Sequence, residues 1–193
     1  MIRPKKGNYA FIDSQNLNVS VQKYGWKMDW KKFRKFLADN YGVTKAFMFI
    51  GYVPEFEDIY EKMHEACYAV VLKPTFDMSR PQPEEKVHKN GEEKKVKGNI
   101  DADMVLWTMK EMRNYDKAVL VSGDGDFFGL AEYLLQVGKL QKILTPTGQY
   151  SSLFRQFEEY IERLDNHRRE LAYYDRRRFS KPENKPQTRP GGV

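Results

Sequence analysis

The stretch Ala118-Val119-Leu120-Val121-Ser122-Gly123-Asp124-Gly125-Asp126-Phe127 joins an unbroken apolar run to a turn rich in glycine and aspartate. A short run with no polar alternation reads as a strand covered on both faces, as in a parallel sheet packed between helices. The carboxylates that follow it then stand beyond the carboxyl end of the strand, where open α/β sheets place their ligands.

Two other segments repeat this arrangement. Tyr9-Ala10-Phe11-Ile12 reads as a first buried strand and runs into Asp13-Ser14-Gln15-Asn16, after which Leu17, Val21 and Tyr24 recur at helical spacing. Lys97-Gly98-Asn99-Ile100-Asp101-Ala102-Asp103 leads into a helix expected over 101–114, with Met104, Leu106 or Trp107, and Met112 turned inward. Between them, Asp29 is suited to cap a helix through Ala38 that Gly42 ends. A strand is expected over 45–51, a helix from Pro54 to about Cys67, and a strand over 69–72. After Val121 come a helix over 127–137 closed by Gly138 and a strand over 140–144. A final helix is expected from Ser151-Ser152, with Leu153, Phe154, Phe157, Ile161 and Leu164 inward. Pro74 to Lys97 interrupts this rhythm, and Asn90-Gly91 within it predicts a β-hairpin arm.

Strands alternating with helices predict an α/β sandwich whose central sheet is mainly parallel, with right-handed crossovers that bring all strand carboxyl ends to one rim. Asp13, Asp101, Asp124 and Asp126 can all gather there. Several carboxylates in one crevice repel one another unless a cation neutralises them, and an all-oxygen donor set suits Mg²⁺ or Mn²⁺. His64, His88 and His167 are scattered and Cys67 is the single cysteine, so neither a zinc cluster nor an intrachain disulfide is expected. A divalent ion at such a rim supports phosphodiester hydrolysis with no side-chain nucleophile.

Asn16, Ser122 and Lys97 are candidate substrate contacts near the rim. Each residue also has an ordinary reading: Asp101 as a helix cap, Asp103 as a first-turn acid facing round the axis, Lys97 as a solvated lysine. Trp26 and Trp30, beside the lysines of 27–35, fit core packing as well as base stacking. Walker-type and dinucleotide-binding loops are missing from the sequence, as is the nucleophile elbow. A receiver domain or aspartyl phosphatase would want paired acids after the first strand, where this chain has Asp13-Ser14-Gln15.

The net charge of +6 is uneven, because residues 163–193 hold nine Lys/Arg against four Asp/Glu and the remainder is close to neutral. A basic end favours a nucleic-acid partner, although a solvated tail that keeps the protein soluble has the same composition. Beyond Tyr174 the Pro-, Lys- and Arg-rich sequence reads as disordered. No apolar run is long enough to span a membrane and no secretory signal is recognisable, so a cytoplasmic location is expected.

Together FIDSQNL, KGNIDADMVLWTM and VSGDGDFFGL, in this order and spacing, resemble the NYN domain, the LabA-like branch of the PIN-like nuclease superfamily. The resemblance covers about residues 8–164. It implies a three-layer Rossmann-like (PIN-like) sandwich over 1–164 with a basic helix extension and tail over 165–193. It further implies a site for Mg²⁺ or Mn²⁺ on Asp13, Asp101, Asp124 and Asp126, with Asn16 as polar companion, and ribonuclease (endonuclease) activity on RNA. The charged and aromatic segments favour single-stranded RNA. Ser14 stands where many relatives have glycine. The alternative of a different class is a regulatory RNA-binding or protein-interaction module that keeps the fold and turns over little. The Pro74–Lys97 arm could grip substrate or form a homodimer contact, and the sequence leaves these open.

Overall fold

The computed structural model describes residues 6–51, 57–73 and 100–174. The expected hairpin over 86–97, with Lys97, the start of the helix at Pro54, and the tail beyond Tyr174 lie outside the described residues.

The chain runs β1 (Asn8–Asp13), α1 (Ser14–Lys23), α2 (Trp30–Tyr41), β2 (Val43–Gly51), α3 (Glu57–Glu65), β3 (Tyr68–Lys73), α4 (Asp101–Lys110), β4 (Ala118–Val121), α5 (Phe128–Gln136), β5 (Leu140–Thr145), β6 (Ile161–Arg163) and α6 (Arg168–Leu171). Six strands form one sheet in the order β3-β2-β1-β4-β5-β6, and every neighbouring pair is parallel. The three-layer α/β expectation therefore holds. The order reverses direction between β1 and β4, and the crevice beyond the carboxyl ends of those two strands is where such sheets bind ligands.

The apolar runs are continuous because the sheet is buried twice. In β1 the side chains alternate between faces: Ala10 and Ile12 join the core with Leu17, Val21, Phe33 and Leu37, while Phe11 joins the other with Phe47, Phe49 and Met104. Phe11 and Phe47 lie nearly parallel on neighbouring strands with ring centroids 5.4 Å apart. Such pairs add about 0.5–1.5 kcal/mol to the burial itself.

Helix ends follow the chemistry expected of them. Asp29 accepts a hydrogen bond from the Lys32 amide at 3.1 Å, and Gly42 closes α2 in the left-handed conformation with φ 61°. Trp26 is buried, and Trp30 packs edge-on against Phe33 and Tyr68, so core packing accounts for both tryptophans.

Three expectations need correction. Residues Ser152–Tyr160 form 3₁₀ turns rather than an α-helix, and Ile161–Arg163 are β6. Phe154 and Phe157, three apart, share the buried side of a threefold helix, whereas Leu153 is 53% exposed. The backbone breaks at Phe157 (φ −104°, ψ 24°), and the chain then pairs Ile161 with Ile143 and Arg163 with Thr145, covering the outer edge of β5. Tyr24 is 42% exposed instead of inward, because α1 ends at Lys23 and Tyr24 occupies its cap. The helix after Asp101 ends at Lys110 and tightens into a 3₁₀ turn over Glu111–Arg113; within it Trp107 packs inward and Leu106 faces out.

The packed core extends past residue 164. Leu171 and Ala172 are buried, Met28 bridges Ala172, and the Asp29 amide donates to the Leu171 carbonyl at 2.8 Å. Truncating Leu171 to Ala should lower unfolding free energy by about 2–5 kcal/mol, the range for emptying a packed aliphatic site. Urea denaturation reads this directly, and a loss under about 0.5 kcal/mol, the scale of a surface substitution, would show that α6 does not belong to the cooperative unit.

Candidate functional site

β1 ends at Asp13, which is 4% exposed and serves as the N-cap of α1. Its Oδ1 accepts from the Asn16 amide at 3.0 Å, and its Oδ2 accepts from the Ser122 hydroxyl at 3.3 Å. The start of α1, at Ser14, is thus set by the carboxylate itself. Ser14 turns its hydroxyl to the Phe49 carbonyl at 2.7 Å and so ties the helix start to β2.

The turn after β4 is fastened to the same place. Ser122 Oγ accepts from the Asp124 amide at 3.1 Å while donating to Asp13, and the Asn16 side-chain oxygen accepts from the Gly123 amide at 2.9 Å. Asp124 Oδ1 in turn accepts from the Asp126 amide at 3.1 Å, which shapes the 3₁₀ turn Gly125–Phe127. Gly125 has no room for a side chain: a Cβ there would lie 2.4 Å from Ser151 Oγ and 3.2 Å from Leu153 Cδ1. Glycine at this position lets the acidic turn press against the loop that follows β5.

On the opposite wall, Asp101 is the first residue of α4, and Ile100 rather than Asp101 holds the cap position. Asp103 points elsewhere and pairs with Lys73 Nζ at 3.0 Å, as its place round the helix axis suggests.

Asp13, Asp101, Asp124, Asp126 and Asn16 all line one cleft of roughly 500 Å³ at the β1/β4 switch point. Ser122 is buried beneath it, and its bonds make it a support for the carboxylates rather than an exposed contact. Sequence reasoning missed Lys23 and Ser20, which line the cleft from the outer turns of α1. Their spacing from Asn16 places them on one helix face, which is the signal that could have found them.

The electrostatics centre on Asp13. Burial pushes its carboxyl up to about 6, and the nearby charges of Asp101 and Asp124 push the same way against the hydrogen bonds from Asn16 and Ser122. Among the described residues, no three metal-ligating side chains stand close enough to form a ready-made cage. The arrangement is an open cluster of oxygen donors around one buried carboxylate. That donor chemistry fits a hard divalent ion, which keeps several waters and takes only one or two carboxylates, and the mutual repulsion at Asp13 is what a cation relieves.

The sequence profile of the NYN domain matches residues 9–165, which include every described residue of this cleft. The chain is 28% identical over 131 residues to the "Low amplitude and bright protein LabA" of Synechococcus elongatus (strain ATCC 33912 / PCC 7942 / FACHB-805), covering 64% of this chain and 65% of that protein's length. Its fold is shared with the crystal structure of a protein of unknown function from Vibrio parahaemolyticus RIMD 2210633, with a TM-score of 0.64 at 20% identity, over 90% of this chain and 100% of that one. No helix among the described residues is long and apolar enough to cross a membrane. With the profile spanning most of the chain, and the six-stranded parallel sheet carrying its acids at the switch point, the protein belongs to the NYN-domain family, whose fold is of the PIN-like nuclease type.

Proposed function

We propose that this protein is a metal-dependent endoribonuclease that hydrolyses phosphodiester bonds of single-stranded RNA with Mg²⁺ or Mn²⁺. The observation that carries the reading is the buried Asp13 carboxylate sharing one cleft with Asp101, Asp124 and Asp126. Family membership supports it, since NYN domains generally act on RNA and their PIN-like relatives are typically dependent on divalent metals.

Asp13, with Asp101, Asp124 and Asp126 around it, would hold the ion. Once bound, the ion supplies neutralisation of the phosphoryl oxygens and a more acidic water. The rest falls to the chain. Asn16 and Ser122 fix the orientation of Asp13 through its two oxygens, so its donor atom is positioned before substrate arrives. The Asn16–Gly123 bond locks the first turn of α1 to the acidic turn, which keeps Asp13 and Asp124 in register. Lys97 is a further candidate for phosphate, carried by the segment before α4.

The alternative reading is a regulatory RNA-binding module that keeps the fold and turns over little. Such a module would bind RNA and leave it intact.

Cleavage of labelled RNA with Mn²⁺ separates the two readings. Asp124→Asn should lower the rate by two or more orders of magnitude, because several kcal/mol of charge stabilisation are at stake and each tenfold in rate corresponds to about 1.4 kcal/mol. EDTA should abolish cleavage, while equal cleavage by the variant would trace the activity to a contaminant.

The raised pKa of Asp13 gives a second test. The folded metal-free protein holds that proton more tightly than the unfolded chain, so Asp13 favours folding below about pH 4 and loses this contribution as pH rises through about 6. Asp13→Asn should therefore stabilise the metal-free protein at pH 7.5, by up to about 2–3 kcal/mol for a shift of this size. Stabilisation of the wild-type protein by Mn²⁺ should fade below pH 6 as the carboxylate takes its proton. Thermal denaturation at pH 5 and 7.5 reads both effects, and a wild-type response to Mn²⁺ that ignores pH would rule out Asp13 as a ligand.

A further inference from the structure

We infer that the outer face of α1 is a track for the single strand, with Lys23 taking a backbone phosphate and Tyr24 a base of the nucleotide beside the scissile one. The inference rests on the hydrolase reading for its direction, since the track begins at the carboxylates and leads away from them.

Asn16, Ser20 and Lys23 line the cleft from successive turns of one helix. From Asn16 to Lys23 is about 10 Å along the axis, at 1.5 Å per residue, which is the scale of a neighbouring nucleotide rather than of the phosphate under attack. Lys23 is the one cation among the described residues lining this cleft, whose other charged residues are the four aspartates. A polyanion admitted to an acidic cleft requires positive charge beside its path, and Lys23 supplies it from the lining. In the last turn of α1 a lysine also complements the helix dipole, so the salt dependence of binding has to separate the two roles.

Tyr24 follows at once and is 42% exposed, an unusual position for an aromatic that helical spacing would have buried. The sheet rim beside the acidic turn carries a second aromatic, Tyr150, and a cation, the Arg163 guanidinium at the end of β6. That guanidinium is held in place by Asp165, through Nε–Oδ1 at 3.0 Å and Nη2–Oδ2 at 2.6 Å. It lies so close to Gly148 that a Cβ there would come within 2.9 Å of Cζ. Tyr150 meanwhile packs over Gly123, whose added Cβ would lie 3.3 Å from its own, so the aromatic shoulder is continuous with the acidic turn. An exposed aromatic face such as that of Tyr24, beside a lysine, suits an unstacked base and its phosphate, whatever the sequence.

The test uses the full chain and fluorescein-labelled oligouridylate, with anisotropy followed over a KCl series in EDTA and cleavage followed in Mn²⁺. Lys23→Gln should weaken binding about fivefold to tenfold and lower the slope of log affinity against log salt by about 0.7, the value for one single-strand phosphate contact. Tyr24→Ala should weaken binding about tenfold, with Tyr24→Phe restoring it, because the ring face rather than the hydroxyl is used. In Mn²⁺ both weakening variants should raise KM and leave kcat within about twofold, whereas Asp124→Asn should lose kcat and keep its affinity.

If Asp124→Asn abolishes cleavage while Lys23→Gln and Tyr24→Ala bind as the wild type does, the track is overturned and the hydrolase reading stands. Should the two α1 variants lose affinity although the wild type never cleaves, the track is upheld and the hydrolase reading fails. Absence of RNA binding by the wild-type protein would overturn both.

Discussion

The burial of one carboxylate governs this structure. Asp13 lies at the carboxyl end of the central strand β1, at the point where the strand order reverses, and folding removes it almost entirely from water. Burying a charge is costly unless it is paired or hydrogen-bonded, and here two neighbouring carboxylates add repulsion to that cost. The protein meets part of it with the Asn16 amide and the Ser122 hydroxyl, and in doing so fastens α1 to the turn after β4. A residue that disfavours folding at neutral pH, supported by such a set of local bonds, is the kind of strain that functional sites retain.

The rest of the fold positions that group. Two aromatic-rich layers bury both faces of the sheet, and because every neighbouring pair is parallel all six carboxyl ends lie along one rim. Crossovers then bring Asp101 to the opposite wall at the start of α4 and Asp124 and Asp126 to a turn pressed down by Gly125. Residues more than a hundred positions apart in sequence meet because parallel pairing leaves their strands no other arrangement.

Much of this was legible in the sequence, for identifiable reasons. Doubly buried strands write themselves as unbroken apolar runs, so β1, β2, β4 and β5 could be read from Phe11, Phe47, Leu120 and Ile143 and their neighbours. Asp29 and Gly42 marked the ends of α2 because capping chemistry is local. β6 was hidden because Phe154, Phe157, Ile161 and Leu164 satisfy a helical spacing, and only the need of β5 for an edge partner turns Ile161–Arg163 into a strand. The clustering of Asp13, Asp101, Asp124 and Asp126 followed from topology, but the supporting roles of Ser122 and Asn16 did not. Whether a polar residue faces ligand or a neighbouring amide is decided by tertiary contacts that the sequence does not display. Lys23 escaped notice for a related reason, since a lysine at a helix end looks like solvated surface until the cleft beside it is seen, and Tyr24 was read as inward because its spacing from Leu17 and Val21 is helical.

The proposed hydrolysis requires the aspartates to act as a single cation site. Anomalous scattering from a crystal of this protein soaked in Mn²⁺ tests that most directly. A peak is expected at oxygen-ligand distance, about 2.0–2.3 Å, from Asp13 and from at least one of Asp101, Asp124 and Asp126. A cleft with no peak at saturating Mn²⁺, or a peak bound to other residues with Asp13 still bonded only to Asn16 and Ser122, would contradict it.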